Sequence, residues 1–311
     1  MSSGSREILR RVAEITKGVT PPNPIWTSVP FTDTSLDAAT TKEDSATKLA
    51  SRLSQRGSIT AVDYTGDINA EFRFGFFDQE ISAVAYNDWV PDSPVDDSDT
   101  LTFGGELVKT FTYVRGYTDI NNYHTFRGVH VNTFNLSIPE TGFVTATFGL
   151  IGMGRTPSDT APAGQVTTPT LTDPFSSVSI TDVKIDGVST VGVSCITTFE
   201  FNWDNTAQTQ RCLGGGLNIG NIIATLANGT GSYTQAWSTD ATDEYEKQFT
   251  NTLISLEVEM TDGAGNVYTL KLPKIEITSA LPSGSNEDLL QATFDYRVVE
   301  EAPTLTRTPT P

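Results

Sequence analysis

Residues 123–153, YHTFRGVHVNTFNLSIPETGFVTATFGLIGM, read as strand, tight turn, strand. Phe134, Leu136 and Ile138 alternate with Asn135 and Ser137, and after the turn Val144, Ala146, Phe148 and Leu150 again share one side. A period of two is what a strand imposes, because successive side chains leave opposite faces. Between the two runs, Pro139-Glu140-Thr141-Gly142 supplies a fixed φ and then a permissive glycine. The stretch therefore predicts a half-buried antiparallel pair.

The same design returns at Tyr268–Val298. Leu270 and Leu272, then Ile275 and Ile277, precede a Gly-Ser-Asn loop, after which Ala292, Phe294, Tyr296 and Val298 alternate. Working outward, CITTFEFNWDN at 195–205 answers IWTSVPFTDTS at 25–35, and Asn221–Leu226 answers Ser58–Val62. Gly229–Trp237 answers Gly66–Phe74, and TDEYEKQFTN at 242–251 answers the helical pattern after Asp78. Leu253–Met260 and the turn Asp262-Gly263-Ala264-Gly265-Asn266 complete the second copy. The match is one of order and pattern, and it predicts a duplicated chain of mainly β fold. The expected architecture is two tandem β-sandwich or barrel units, each with a short flanking α-helix, plus long loops and an N-terminal arm.

The expected divisions are an arm at 1–24, a first unit at 25–154, a linker at 155–177, a second unit at 178–300 and a tail at 301–311. Residues 5–16, SREILRRVAEIT, space Ile8, Leu9, Val12 and Ile15 as a short amphipathic helix capped by Ser5. Trp26–Phe31 reads as a strand. The polar run 33–56 reads as a long loop, with a helix around Asp44–Ser54 as the alternative. Ser58–Gly75 reads as two strands turning at Gly66-Asp67, and Asp78 as the cap of a helix reaching about Asn87. Glu106–Val114 alternates as a strand. The Pro- and Thr-rich run 155–175 supplies the linker.

Composition narrows the function. The 311 residues can bury a full core, and 16 Pro and 25 Gly suit many turns. A formal charge of −18 argues against gripping nucleic acid, which takes clustered Lys and Arg on phosphates. No apolar run approaches a membrane span, and the first residues lack the apolar core of a secretory signal. Cys195 and Cys212, the two cysteines, are then expected to be reduced, and two thiols do not make a zinc site.

Catalytic constellations do not assemble. His124 and His130, the two histidines, fall in or beside a predicted strand, with no activated nucleophile indicated. The acidic loop Asp92, Asp96, Asp97, Asp99 lacks calcium-loop spacing. Gly149, Gly152 and Gly154 are not in dinucleotide order, and Gly214-Gly215-Gly216 has no Lys-Ser/Thr after it. Trp26, Trp89, Trp203 and Trp237 are scattered, which gives a sugar no stacking platform. Expected catalytic, cofactor and metal residues are therefore none.

Several stretches carry a family resemblance. AEITKGVTPPNPIWTSVPFTDTSL is similar to the start of major tail tube proteins of phages with long non-contractile tails. INAEFRFGFFDQEISAVAYNDW resembles that family's strand-plus-helix segment, 123–153 its hairpin, and FNWDNTAQTQRCLGGGLNIGNIIATLANGTGSYTQAW its second-half strands. The resemblance implies a non-enzymatic virion subunit, made in the host cytoplasm, whose rings stack into a tail tube for DNA ejection. It implies as partners other copies of the chain, the tape measure protein, and the tail terminator and tail tip proteins, with DNA passing unbound. Two units per chain imply a trimeric ring of pseudo-six-fold symmetry (2 × 3 = 6), carrying −54 in total (3 × 18). The rival readings are a capsid-decorating, fibre or carbohydrate-binding β-sandwich, and a glycosidase on a β-scaffold.

Overall fold

The computed structural model describes residues 3–48, 52–92 and 97–310. Its first half runs β1 (Glu7–Ala13), β2 (Ile25–Ser28), β3 (Asp33–Thr34), β4 (Asp37–Glu43), β5 (Ser58–Glu71), α1 (Asp78–Ala85), β6 (Val90–Pro91), β7 (Asp99–Thr102) and β8 (Phe111–Tyr117). The long β9 (Asn122–Ile138), β10 (Thr145–Gly152), β11 (Gly154–Ser158) and β12 (Gln165–Thr167) follow. The second half runs β13 (Ile180–Ile185), β14 (Val188–Ser189), β15 (Ile196–Asp204), β16 (Gln208–Gln210), β17 (Asn221–Ile223), β18 (Asn228–Ala236) and α2 (Thr239–Thr250). It ends in β19 (Ile254–Thr261), β20 (Val267–Ser279), β21 (Gln291–Val298) and β22 (Thr304–Thr308).

The fold is mainly β and sandwich-like, with two helices and no closed barrel among the described residues. Both hairpins read from the sequence are present as β9–β10 and β20–β21. Each half repeats one set of strand neighbours. In the first half β5 pairs β10, β10 pairs β9, β9 pairs β8 and β8 pairs β1. In the second, β18 pairs β21, β21 pairs β20, β20 pairs β19 and β19 pairs β13. Even the closing strands agree, since β11 pairs the start of β9 as β22 pairs the start of β20.

Several local expectations are overturned. Residues 5–16 form no α-helix: a single 3-10 turn at Gly4–Arg6 leads into strand β1, Glu7–Ala13, laddered to β8 along its whole length. Its buried residues are Leu9 and Arg11, a period of two that the charge on Arg11 disguised, while Ile15 is left exposed. The loop expected over 33–56 begins as strands β3 and β4, both laid on β5. The alternative helix is absent from its described part; residues 49–51 lie outside the described residues, as does Asp96. Ser58–Glu71 is one strand with no turn at Gly66. Gly66 is there because the Leu36 backbone crosses so close that a Cβ would meet it at 2.4 Å. Asp78 lies inside α1 rather than capping it. Glu106–Thr110 precedes β8 rather than belonging to it. Strands β1 and β22 lie in the stretches expected as arm and tail, and β11 begins at Gly154, the end of the expected first unit, and runs into the expected linker.

The halves do not keep separate cores. Phe103 packs against Phe134, Phe201 and Trp203, and Phe134 stacks on Phe148 at 5.2 Å between centroids. Phe72 likewise stacks on Tyr268 at 5.4 Å. Beneath α1, Arg11 is ion-paired to buried Glu80, which also accepts from the Tyr113 hydroxyl at 3.0 Å. The Arg11 guanidinium donates to the Phe76 carbonyl at 3.1 Å as well. Desolvation pushes the Tyr113 hydroxyl up to about 12, so it stays a donor.

Two predictions follow from these buried groups. Glu80→Leu strands the Arg11 charge and is expected to cost about 3–5 kcal/mol in urea unfolding; an unchanged midpoint would show that the pair contributes little. His130 is buried with Nδ1 on the Gly128 carbonyl, and burial, with Lys17 second, lowers its pKa from 6.5 to about 4. Between those values the unfolded chain binds the extra proton, so stability falls on acidification from pH 6.5 toward 4. His130→Gln is expected to flatten that slope by up to about 1.4 kcal/mol per pH unit.

Candidate assembly surface

The two halves are joined edge to edge. Phe199–Asp204 of β15 pairs antiparallel with Ile138–Thr133 of β9, while β10 holds the other side of β9. One layer therefore runs unbroken through β3, β5, β10, β9, β15, β18, β21 and β20.

Register turns that layer into rows of side chains. On the face away from the core, Glu71, Thr145, Ser137, Glu200, Ser232, Asp295 and Thr278 lie side by side across seven strands. The next row is Asp33, Asn69, Thr147, Asn135, Asn202, Thr230, Arg297 and Glu276. A third is Asp67, Gly149, Thr133, Asp204 and Asn228. These rows hold no aliphatic or aromatic side chain, because every apolar residue of the alternation points the other way. Their carboxylates are Asp33, Asp67, Glu71, Glu200, Asp204, Glu276 and Asp295, against Arg297 alone, itself bonded to Glu276 at 2.6 Å. Hydrogen bonds tie the rows laterally: Thr147 donates to Asn69 at 2.8 Å, and Asn135 donates to Asn202 across the junction. Gly149 is fixed by this crowding, since a Cβ there would meet the Thr133 hydroxyl at 2.1 Å.

Asn205 locks the junction from inside. It is 3% exposed and donates from Nδ2 to the Val84 carbonyl of α1 at 2.8 Å and to the Asn132 carbonyl at 3.2 Å. Its Oδ1 accepts from Trp203 Nε1 at 3.1 Å, and Asn132 Nδ2 donates to Asp204 at 3.0 Å. A second seam joins β7 to β22. There Asp78 accepts from the Tyr268 hydroxyl and from Arg307, which also bonds Asp99 at 2.7 Å and lies over the Trp89 ring at 4.7 Å. Nothing in the sequence pattern singles out Asn132, Asn205, Tyr268 or Arg307. A polar residue closing an apolar alternation, as Asn205 does after Phe199, Phe201 and Trp203, is the one local signal.

The ends of the layer have no further strand beside them among the described residues. β4 pairs only β5, and Glu276–Ser279 of β20 pairs only β21, although the Ser279 N–H donates to Gln248 Oε1 of α2 at 3.2 Å and the Leu36 carbonyl, just before β4, accepts from Arg115 at 2.9 Å. Such a border presents unpaired N–H and C=O groups to a further strand.

The residues weighed for chemistry stay apart. His124 and His130 are both in β9, and Cys195 and Cys212 are exposed and unbonded. Trp26 and Trp203 are buried, Trp89 lies under Arg307 and Trp237 sits against Tyr245, so the four share no face. Among the described residues no three His, Cys, Asp or Glu side chains could hold a metal, and no helix is long and apolar enough to cross a membrane.

Comparison with known proteins gives one family: a model described as phage tail tube protein matches residues 4–298. No curated protein matches the chain.

Asn205→Ala leaves the Val84 carbonyl and the Trp203 indole N–H buried without partners. It is expected to lower stability by about 1–3 kcal/mol for each group so orphaned, measured by urea unfolding. Wild-type stability in the variant would show that backbone pairing alone holds the halves together.

Proposed function

The chain belongs to the phage tail tube protein family, and from that premise we propose that it is a major tube subunit whose rings stack around a lumen for DNA. The observation that carries this reading is the unbroken layer with an acidic polar face and two open borders. A sheet open at both ends is completed by its own kind, and closure around an axis removes the borders. The face without apolar side chains then lines the channel, and the core and helices lie outside it.

The charge on that face suits passage rather than capture. DNA carries a phosphate about every 1.7 Å of axis, and binding comes from Lys and Arg replacing its counterions. Rows of Asp, Glu, Thr, Ser and Asn offer no such replacement. Repulsion is screened beyond about 8 Å at physiological salt, so it acts close to the wall.

The repeated strand order supports two tube units per chain, centred on residues 25–154 and 178–300, with β1 and β11 laddered to the first and β22 to the second. Three chains then close a pseudo-six-fold ring. The extended β4–β5 hairpin and the N-terminal segment are suited to contacts between stacked rings. Tape measure, terminator and tip proteins are the remaining partners, and the site of action is the virion tail.

Electron microscopy of concentrated protein, or of isolated tails, is expected to show tubes whose rings hold three chains; six chains per ring would defeat the two-unit reading. A variant with Glu71, Glu200 and Asp295 changed to Lys is expected to assemble tubes but to slow DNA ejection, with the defect easing between about 50 and 200 mM salt. Ejection at the normal rate would remove this face from the lumen.

A further inference from the structure

The chain contains one unit-to-unit contact already, and the geometry points to its use as the pattern for the contact between chains: β4 of one copy pairs antiparallel with the end of β20 of the next, Ala38 opposite Ser279 and Leu36 opposite Leu281. This deepens the tube-subunit reading and rests on it, naming the strands and register through which a second copy binds.

Matching positions in the two halves are fixed by their bulges. The β8–β9 ladder slips between Phe111 and Tyr113, opposite Val129 and Phe126. The β19–β20 ladder slips between Ile254 and Leu256, opposite Ile275 and Leu272. Val129 therefore corresponds to Ile275, and Val131 to Ile277. One further residue enters β9 where its ladder to β10 slips at Gly149/Leu150, so Phe134 corresponds to Ser279. From there the core-facing row Phe134, Phe148, Ile68, Thr34 overlays Ser279, Phe294, Tyr233, Phe199. Thr34 thus holds the place of Phe199, Leu36 that of Phe201 and Ala38 that of Trp203.

Inside the chain, Trp203 pairs with Phe134 and Phe201 with Leu136. Carried to the borders, these become Ala38 with Ser279 and, just beyond each strand, Leu36 with Leu281. A partner strand then displaces the Gln248 side chain from the Ser279 N–H and Arg115 from the Leu36 carbonyl. On the polar face, Asp204 with Thr133 becomes Ala39 with Thr278.

Three features of the borders agree with this register. Leu281 is 62% exposed in the single chain, an apolar side chain next to a strand end with nothing over it. Pro282 follows it and has no N–H to donate, which ends the ladder where β20 gives way to loop. At Ala38 and Ala39 the second copy offers small side chains, so no bulky group stands between the strands.

The test is a disulfide across the contact. In a parent with Cys195→Ser and Cys212→Ser, Ala39→Cys and Thr278→Cys place thiols on directly opposed residues, where Cβ atoms lie about 4.5–5.5 Å apart. Both positions are exposed in the single chain, so folding is unaffected, and matched circular dichroism of the reduced variant checks this. Oxidation of assembled protein is expected to give covalent dimers and closed trimers on a non-reducing gel. Neither single-cysteine variant, nor a shifted pair of Ala39→Cys with Glu276→Cys, should give the closed trimer. Rings or tubes by electron microscopy without the link, or with the shifted pair linking instead, overturn this contact and leave the subunit reading standing. A parent that remains monomeric at every concentration and in the presence of isolated tail tips overturns both.

Discussion

A β-strand has two edges, and the decisive fact in this chain is which strand occupies the second edge of β9. Its first edge is held by β10 and β11, which follow it in sequence. The second is shared by β8, along its start, and by β15, along its end. β15 belongs to the other half of the molecule, so this one pairing converts two similar halves into a single layer. The fused core is a consequence: setting β15 beside β9 brings Phe201 and Trp203 to the aromatic group around Phe103 and Phe134. A continuous outer face is the other consequence, since pairing in register keeps polar rows aligned across the junction.

The composition of that face follows from the same geometry. Thr and other β-compatible polar residues hold strand conformation without needing burial, and short side chains leave the surface smooth. Cross-strand hydrogen bonds of the kind made by Thr147 and Asn69 order the side chains without apolar contact. The acidity of the whole chain is thus present on a defined surface, in rows set by strand register.

The sequence revealed these strands where alternation was clean and partners were close. Both hairpins and the helical pattern of α2 were legible for that reason, whereas 195–205 was matched to 25–35 out of register, since the ladders set Phe199 at the place of Thr34. β1 was not, because Ile8, Leu9 and Val12 satisfy a helical period as well as a strand's, and only Glu80 in α1 explains a buried Arg11. Asp78 looked like a cap by local rule, yet its partners Tyr268 and Arg307 are 190 and 229 residues away. β22 was hidden by its composition, for TLTRT amid prolines reads as a tail until β20 and β7 are seen on either side of it. In each case the missing information was tertiary: an edge or a counter-charge supplied by a distant segment.

The segments that follow the two helices are also unequal. Between α1 and β8 the chain has residues 86–110, long enough to carry β6 and β7; between α2 and β19 it has only residues 251–253. β7 is the strand that reaches across to β22, and the surrounding residues bring Asp99 and Trp89 to Arg307. The internal junction therefore has a second seam that no segment of the second half can reproduce at the far border. A ring of identical single units would have to make every contact alike, strong or weak. A ring of fused pairs can hold half its contacts permanently, by covalent connection and by this seam, and leave the other half to the strand borders alone. In a ring of that kind, assembly is reversible only at the borders, and closure is decided there rather than within the chain.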